Sequence, residues 1–243
     1  MKTEIFDLIS NKEIARNTYE WVLKGDTSHI TASGQFVNIK LDGFYLRRPI
    51  SVCDAEEGKL TLIFKAVGEG TEKMAEAKVG EEFDVMTGLG NGYDLTKSGN
   101  APLLLGGGAG VPPMYMLAKE LIKEGKKPTV ILGFGGACEV FYKEEFEKLG
   151  ARVLVTTADG SSGIKGFVTD AIGDLDYTYF YTCGPEPMLK AVYDKTKTSG
   201  QLSFEERMGC GFGACMGCSC KTKYGNKRIC REGPVLVKEE IIW

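Results

Sequence analysis

The chain has 243 residues, of which 43% are hydrophobic and 26% charged, enough for two ordinary domains and a small module. Its net charge of −3 gives no basic bias toward nucleic acid or an anionic membrane, and no apolar run is long enough to span a bilayer. Residues 1–17 mix charges and lack the apolar middle of a signal peptide, so we expect a cytoplasmic protein whose thiols stay reduced.

Residues 1–97 have the texture of β-structure. The segments 34–41, 58–67 and 81–88 alternate apolar and polar residues with a period near two, and glycine-containing turns separate them. Only the short segment 71–79 looks helical. This pattern predicts a small antiparallel barrel.

After residue 97 the pattern changes to apolar strands that alternate with helical segments. The predicted pairs are 101–107 with 113–125, 128–136 with 139–150, 151–160 with 166–174, and 177–184 with 185–197. Such βαβ units indicate a parallel sheet that is covered on both faces, here over residues 98–198. The rhythm is lost again from residue 199, and residues 199–243 are predicted to form a cysteine-rich module.

A glycine-rich turn follows the first strand of the parallel domain. Gly106, Gly108, Gly110 and Pro113 form a G-x-G-x-G-x-x-P pattern, which differs from the Rossmann fingerprint but also allows close approach of a pyrophosphate. Asp159 ends the third strand where a ribose would be bound, and no arginine follows to receive a 2′-phosphate, which favours NAD over NADP. Tight packing at the turn and an ordinary acidic turn residue remain the alternatives.

The fourth strand of this domain ends in Cys183-Gly184-Pro185. Ligands of parallel sheets bind at the carboxyl ends of the strands, so a cysteine at this position is placed to pack against a nicotinamide ring.

A basic stretch in the barrel half, FYLRRPISVCD, offers groups for a flavin nucleotide. We expect the guanidinium of Arg48 and the hydroxyl of Ser51 to lie on the same side of a strand, with Ile50 between them, facing a phosphate and a flavin ring nitrogen. Thr71 is expected to be the N-cap of the following helix, whose N-terminus would supply a second phosphate contact. The alternative is a basic edge strand followed by an ordinary capped helix.

Five of the eight cysteines lie between residues 210 and 230. Cys210, Cys215, Cys218 and Cys230 read C-x4-C-x2-C-x11-C, the plant-type spacing for a [2Fe–2S] cluster, and small residues between them let the backbone wrap tightly. The single histidine excludes a Rieske centre, which needs two. A zinc site remains the alternative, and Cys220 is a rival ligand that we interpret as a bystander.

In chain order, the motifs RRPIS, GEGT, GGGAGVPP, CGPEPM, CGFGACMGC and CREGP resemble the ferredoxin–NADP reductase superfamily. Within it they resemble the electron-transfer subunits of NAD-dependent dihydroorotate dehydrogenases, over nearly the whole chain. The resemblance implies an FAD-binding barrel, an NAD-binding α/β domain and a C-terminal [2Fe–2S] module. It also implies a separate catalytic subunit that carries FMN, with two copies of each chain in a heterotetramer.

The resemblance further implies which residues bind each group. The FAD residues would be Arg48, Pro49, Ile50, Ser51, Ile63, Phe64, Lys65, Gly70 and Thr71. The NAD residues would be Gly106, Gly107, Gly108 and Gly110 beside the pyrophosphate, with Cys183 and Gly184 near the nicotinamide. The cluster ligands would be Cys210, Cys215, Cys218 and Cys230. Cys220 departs from the family pattern.

The expected function is electron relay without a catalytic acid or base, from the partner's FMN through the cluster and FAD to NAD⁺ in pyrimidine biosynthesis. Three alternatives stay open at this stage. The chain would be a flavin subunit of another oxidoreductase, of the ferredoxin or sulfide reductase type, or a free-standing NADH oxidoreductase, or a zinc-stabilised binding module without redox chemistry.

Overall fold

The computed structural model describes residues 1–243, and its N-terminal part is a closed antiparallel barrel. The barrel strands are β1 (Lys2–Ala15), β2 (Thr18–Lys24), β3 (Phe36–Ile39), β4 (Arg48–Glu56), β5 (Lys59–Lys65) and β6 (Glu82–Leu89). They pair in the order β1-β2-β5-β4-β3-β6, and the helix α1 (Glu69–Ala75) connects β5 to β6. The predicted barrel is confirmed, although β1 and β2 were not recognised individually.

Burial explains why the two halves of the chain have different textures. Along β6 exposed or half-buried residues alternate with buried ones, as expected for a strand with one face on a barrel core. The strand β7 (Leu103–Gly107) is instead buried at every position, as expected for a central strand of a sheet covered on both faces.

The second sheet has seven strands. After β7 come β8 (Thr129–Phe134), β9 (Arg152–Thr157), β10 (Ile164–Lys165), β11 (Phe180–Cys183), β12 (Gly200–Ser203), the hairpin β13 (Ser219–Thr222) and β14 (Gly225–Arg228), and β15 (Val235–Val237). The sheet order is β10-β9-β8-β7-β11-β12-β15, and every pair is parallel except β12 with β15. The predicted parallel sheet is confirmed.

Three helices pack on this sheet: α2 (Pro112–Lys123), α3 (Lys143–Leu149) and α4 (Glu186–Lys195). The helix predicted over 166–174 is wrong, because this segment forms turns. Gly166 and Gly173 take φ values of +124° and +43° at its two ends, outside the right-handed helical region. The backbone N–H of Phe167 also donates to the Asp170 carboxylate at 2.7 Å, which closes a local turn.

The last 44 residues are structurally tied to the parallel sheet. Both β12 and β15 extend that sheet, so the rhythm is not lost at residue 199 as the sequence suggested. The side chains of Cys218, Ile229 and Cys230 are buried in the core formed on one face of the sheet. The division into 1–97, 98–198 and 199–243 remains a prediction. None of the helices combines the length and apolar character needed to cross a membrane.

The helix that follows the glycine turn is also anchored to the barrel. The ammonium of Lys119 in α2 contacts the carboxylates of Asp54 and Glu56 in β4, each at 2.8 Å. The strand that begins with Arg48 and the helix that begins after Gly110 are thereby held together.

Candidate functional site

The glycine turn and the Cys183-Gly184 strand end meet at one point of the parallel sheet. β7 and β11 are neighbours, and the strands following each of them extend the sheet in opposite directions, which makes this the topological switch point where ligands bind. Gly106 is paired with Cys183. A Cβ on Gly110 would lie 2.1 Å from the Cys183 carbonyl oxygen. The structure therefore brings together two of the predicted NAD-binding stretches.

Replacing Gly110 by alanine tests this close approach. The added methyl group meets backbone atoms of Cys183 and Gly184, which cannot rotate away, so we expect Gly110→Ala to lower the free energy of unfolding by about 2–3 kcal/mol. Gly108→Ala is the control: a Cβ there has open space, and its φ of +52° costs about 1 kcal/mol. Urea denaturation measures both, and a larger loss for Gly108→Ala would contradict the packing argument.

Two further groups lie at carboxyl ends of strands in this sheet. Burial raises the pKa of the Cys183 thiol to about 12, so it is a neutral, apolar surface at pH 7. The exposed Asp159 follows β9, and its carboxylate accepts hydrogen bonds from the backbone N–H and the hydroxyl of Ser161, at 2.9 and 2.6 Å. These bonds lower the pKa of Asp159, which keeps it charged. Its contact with a ribose remains a prediction.

The predicted flavin residues Arg48 and Gly70 are in contact. A Cβ on Gly70 would lie 2.1 Å from Nε of Arg48, so only glycine leaves room for this guanidinium. Arg48 stacks over the Phe44 ring at 4.6 Å and donates to the Leu46 carbonyl at 2.5 Å. Unlike Arg47, which pairs with Asp84, it forms no ion pair with a carboxylate. A half-buried arginine without a counter-charge suits a phosphate, so these residues fit FAD.

Two details of the flavin stretch were predicted wrongly. The N-cap of α1 is Gly68, and Thr71 is the third residue of the helix, where its hydroxyl accepts from the N–H groups of Val67 and Gly68 at 3.0 and 3.3 Å. Arg48 through Ser51 pair in regular register with β3. Because side chains alternate between the faces of a strand, Arg48 and Ser51, three residues apart, point to opposite faces.

The other predicted flavin residues line a cleft between the barrel and the parallel sheet. Ile63, Phe64 and Lys65 of β5 form one wall, and Gly108 and Ala109 of the glycine turn contribute to the opposite wall. The cleft encloses about 280 Å³ of empty space. Lys65 also pairs across it with Glu139, at 3.2 Å. A flavin bound along β5 would therefore lie beside the predicted nicotinamide site.

The four predicted cluster thiols are arranged as two pairs. The sulfur atoms of Cys218 and Cys230 are 3.2 Å apart and buried. The sulfur of Cys210 accepts the backbone N–H of Cys215 at 3.4 Å and also interacts with the Cys215 thiol. The structure contains no group of three or more His, Cys, Asp or Glu side chains placed to hold one metal ion. Two thiol pairs fit two iron atoms better than one tetrahedral zinc ion.

Backbone donors prepare these thiols to act as ligands. Burial raises the pKa of the Cys210 thiol, but N–H groups of Cys215, Phe212 and Ala214 outweigh burial and hold the pKa at about 6. Burial and the neighbouring Cys218 raise the pKa of Cys230 to about 12. Binding of a metal would displace the protons that remain, since the thiolate is the ligand form.

Cys220 is separate from the two pairs. It lies in β13, opposite Lys227, and its side chain packs against the core beneath the module. Its sulfur lies 3.7 Å from the Lys221 carbonyl oxygen. This position supports the interpretation of Cys220 as a bystander, which remains a prediction.

The structure also shows supporting residues that the sequence did not indicate. Arg228 donates to the Gly213 carbonyl at 2.7 Å, inside the cysteine loop, while Glu232 holds its guanidinium. Asn38 of β3 donates to the Cys210 carbonyl at 3.4 Å. For Asn38 a signal existed, because it is the one polar residue in the buried strand FVNI.

A closed antiparallel barrel beside a parallel nucleotide-binding sheet, followed by a cysteine module, defines a flavin- and nicotinamide-linked oxidoreductase of the ferredoxin reductase fold. Family models match residues 104–194 as an oxidoreductase NAD-binding domain and residues 205–242 as the iron-sulfur cluster binding domain of dihydroorotate dehydrogenase B. A solved NADH-dependent reduced ferredoxin–NADP oxidoreductase is similar at 30% identity, with a TM-score of 0.89 over 98% of this chain and 90% of that one.

Curated relatives are similar over their full length. The electron transfer subunit of dihydroorotate dehydrogenase B (NAD(+)) of Fusobacterium nucleatum is 46% identical, over 99% of both chains. The corresponding subunit of Shouchella clausii is 42% identical, over 97% of this chain and 96% of that one. The chain belongs to this family of electron transfer subunits. The resemblance seen in the sequence motifs is confirmed.

Proposed function

We propose that this chain is the electron-transfer subunit of a dihydroorotate dehydrogenase B, which passes electrons from the FMN of a catalytic subunit to NAD⁺ in pyrimidine biosynthesis. The observation that carries the proposal is the combination, on one chain, of a flavin cleft, a nucleotide switch point and two thiol pairs with full-length similarity to such subunits. Flavin exchanges hydride with nicotinamide and single electrons with an iron–sulfur cluster, so together these groups join the two kinds of carrier.

The protein's own side chains bind and orient. In this proposal Arg48 and Gly70 hold a phosphate of FAD, and Ile63 to Lys65 support the flavin along β5. The glycines at 106–110 admit the NAD pyrophosphate, and the neutral, buried Cys183 thiol faces the nicotinamide beside Gly184. No side chain has to give or take a proton during electron transfer, which agrees with the absence of a histidine from these sites.

The proposed assembly contains a partner. The relatives are named as electron transfer subunits, so a catalytic subunit that carries FMN is expected to bind this chain. We propose a heterotetramer with two copies of each chain, in the cytoplasm. Neither nucleic acid nor a membrane is part of it.

The visible spectrum of the anaerobically purified protein tests the proposal. We expect flavin absorbance together with the broader absorbance of a [2Fe–2S] cluster, both bleached by NADH, and two iron atoms for each FAD. Adding the catalytic subunit of a relative should then permit NAD⁺ reduction by dihydroorotate. A colourless protein that contains zinc would refute the proposal.

A second candidate is a flavin and iron–sulfur subunit of another NAD(P)H-linked reductase. The structural similarity to the NADH-dependent reduced ferredoxin–NADP oxidoreductase favours it. The curated relatives at 42–46% identity favour the first candidate more strongly. Rapid reduction of a ferredoxin, without response to the dihydroorotate dehydrogenase catalytic subunit, would identify the second.

Asp159 gives a prediction about nucleotide choice. A carboxylate at the carboxyl end of β9 would repel a 2′-phosphate, so Asp159→Asn should shift the ratio of kcat/KM for NADH over NADPH about tenfold toward NADPH, or ~1.4 kcal/mol. The rates are measured with ferricyanide as acceptor. Asp170→Asn is the control, since Asp170 likewise accepts a backbone N–H in an exposed loop of the same domain. An unchanged ratio in Asp159→Asn would remove Asp159 from the site.

A further inference from the structure

Asn38 is a buried polar residue between the barrel and the cysteine loop. Its neighbours in β3, Val37 and Ile39, belong to the barrel core, whereas Asn38 faces away from that core. The residue is 1% exposed. Its side-chain oxygen has no hydrogen-bond partner among the protein's atoms. An amide buried in this way costs stability, so barrel packing alone does not explain it.

The amide nitrogen of Asn38 contacts the first residues of the cysteine loop. Nδ2 donates to the Cys210 carbonyl at 3.4 Å. A Cβ on Gly211 would lie 2.3 Å from the same nitrogen, and Gly211 has a φ of +78°, so two separate constraints require glycine. The reverse orientation of the amide would bring two oxygen atoms together at that distance, which settles which atom faces Cys210.

Asn38 also adjoins the predicted flavin stretch. In the β3–β4 pairing it lies directly opposite Pro49, the residue after Arg48. Its own carbonyl accepts from the guanidinium of Arg47 at 3.3 Å. One residue therefore contacts both the strand predicted to carry the flavin and the residue predicted to be the first cluster ligand.

We propose that Asn38 is a positioning residue that fixes the Cys210 loop against the flavin strand and raises the reduction potential of the cluster; this rests on the proposed function. Reduction adds negative charge to the cluster, and N–H dipoles near its ligands stabilise that charge. Removal of the amide should therefore lower the potential and make the cluster harder to reduce.

The test uses the full-length holoprotein with Asn38→Leu and, as a smaller replacement, Asn38→Ala. The cluster potential is measured by anaerobic titration with EPR detection of the reduced cluster. We expect it to fall in both variants by at least threefold in the one-electron equilibrium constant, about 28 mV at 59 mV per tenfold change. The matched control is Asn11→Leu, because Asn11 is a barrel asparagine whose Nδ2 donates to Ala75 and Ala77 at the end of α1, at 2.9 and 2.8 Å.

The Asn11→Leu protein should lose stability and keep the potential of the unmodified protein. Loss of the cluster from both Asn38 variants, with retention in Asn11→Leu, would also support the proposal. Unchanged potentials and EPR spectra in both Asn38 variants would overturn it. An unmodified protein that binds neither flavin nor cluster would instead show that the proposed function itself is wrong.

Discussion

Cys218→Ser is expected to abolish the cluster and, with it, electron exchange with the partner. Cys218 and Cys230 share the buried pair, so one substitution removes half of the ligands expected for one iron atom. Changes to residues around metal ligands already cost 10–100-fold in affinity or activity, so loss of a ligand should lower partner-linked NAD⁺ reduction by more than about 100-fold. Reduction of the flavin by NADH should stay close to that of the unmodified protein, because its residues lie in other parts of the chain.

The same substitution should reduce stability. Cys218 is 2% exposed and lies in the core under the module, together with Ile229 and Cys230. Free energy from cluster binding is folding free energy for such a module, so its loss should lower the urea midpoint of this part of the protein.

Cys220→Ser is the matched control for this experiment. Cys220 is only two residues from Cys218 but lies outside the two pairs, packed against the core. The variant should keep its EPR signal, its iron content and its partner-linked activity. If Cys220→Ser lost the cluster while Cys218→Ser kept it, the ligand set would have to be Cys210, Cys215, Cys220 and Cys230.

The sequence predicted those parts of the molecule that depend on local rules. Period-two alternation reports a strand with one buried face, and an unbroken apolar run reports a central strand, so the barrel and the parallel sheet were both recognisable. The segment 166–174 failed because its apolar residues suit a helix while Gly166 and Gly173 prevent one. The sheet edge failed because β12 and β15 are short and lie among residues with a different composition.

Contacts between distant residues were the main omission in the predicted sites. Asn38 and Cys210 are 172 positions apart, and nothing local to either residue shows that they meet. Arg48 and Gly70 could be assigned separately from family motifs, but the reason for the glycine is visible only in the structure. The face of Ser51 was misjudged through simple counting, since three residues along a strand reverse the side.

The largest effect on flavin binding is expected for Gly70→Ala. The new methyl group would lie 2.1 Å from Nε of Arg48, so the guanidinium must leave its position over the Phe44 ring. A charge-assisted hydrogen bond is worth about 1.5–3 kcal/mol, so losing the contact to a phosphate should weaken FAD binding about 10–100-fold. Flavin content after gel filtration and fluorescence titration of the apoprotein with FAD would measure this.

Gly68→Ala distinguishes this effect from damage to the loop. Gly68 lies two residues earlier, has an extended backbone, and offers open space to a Cβ. Its replacement should cost only the few tenths of a kcal/mol to about 1 kcal/mol of a poorer N-cap, and leave FAD affinity nearly unchanged. Arg48→Lys keeps the charge but loses the planar fork, so it should fall between the two variants. If Gly70→Ala and Gly68→Ala bound FAD equally well, the guanidinium of Arg48 would not be the phosphate ligand, and the flavin would have to be held by the cleft along β5 alone.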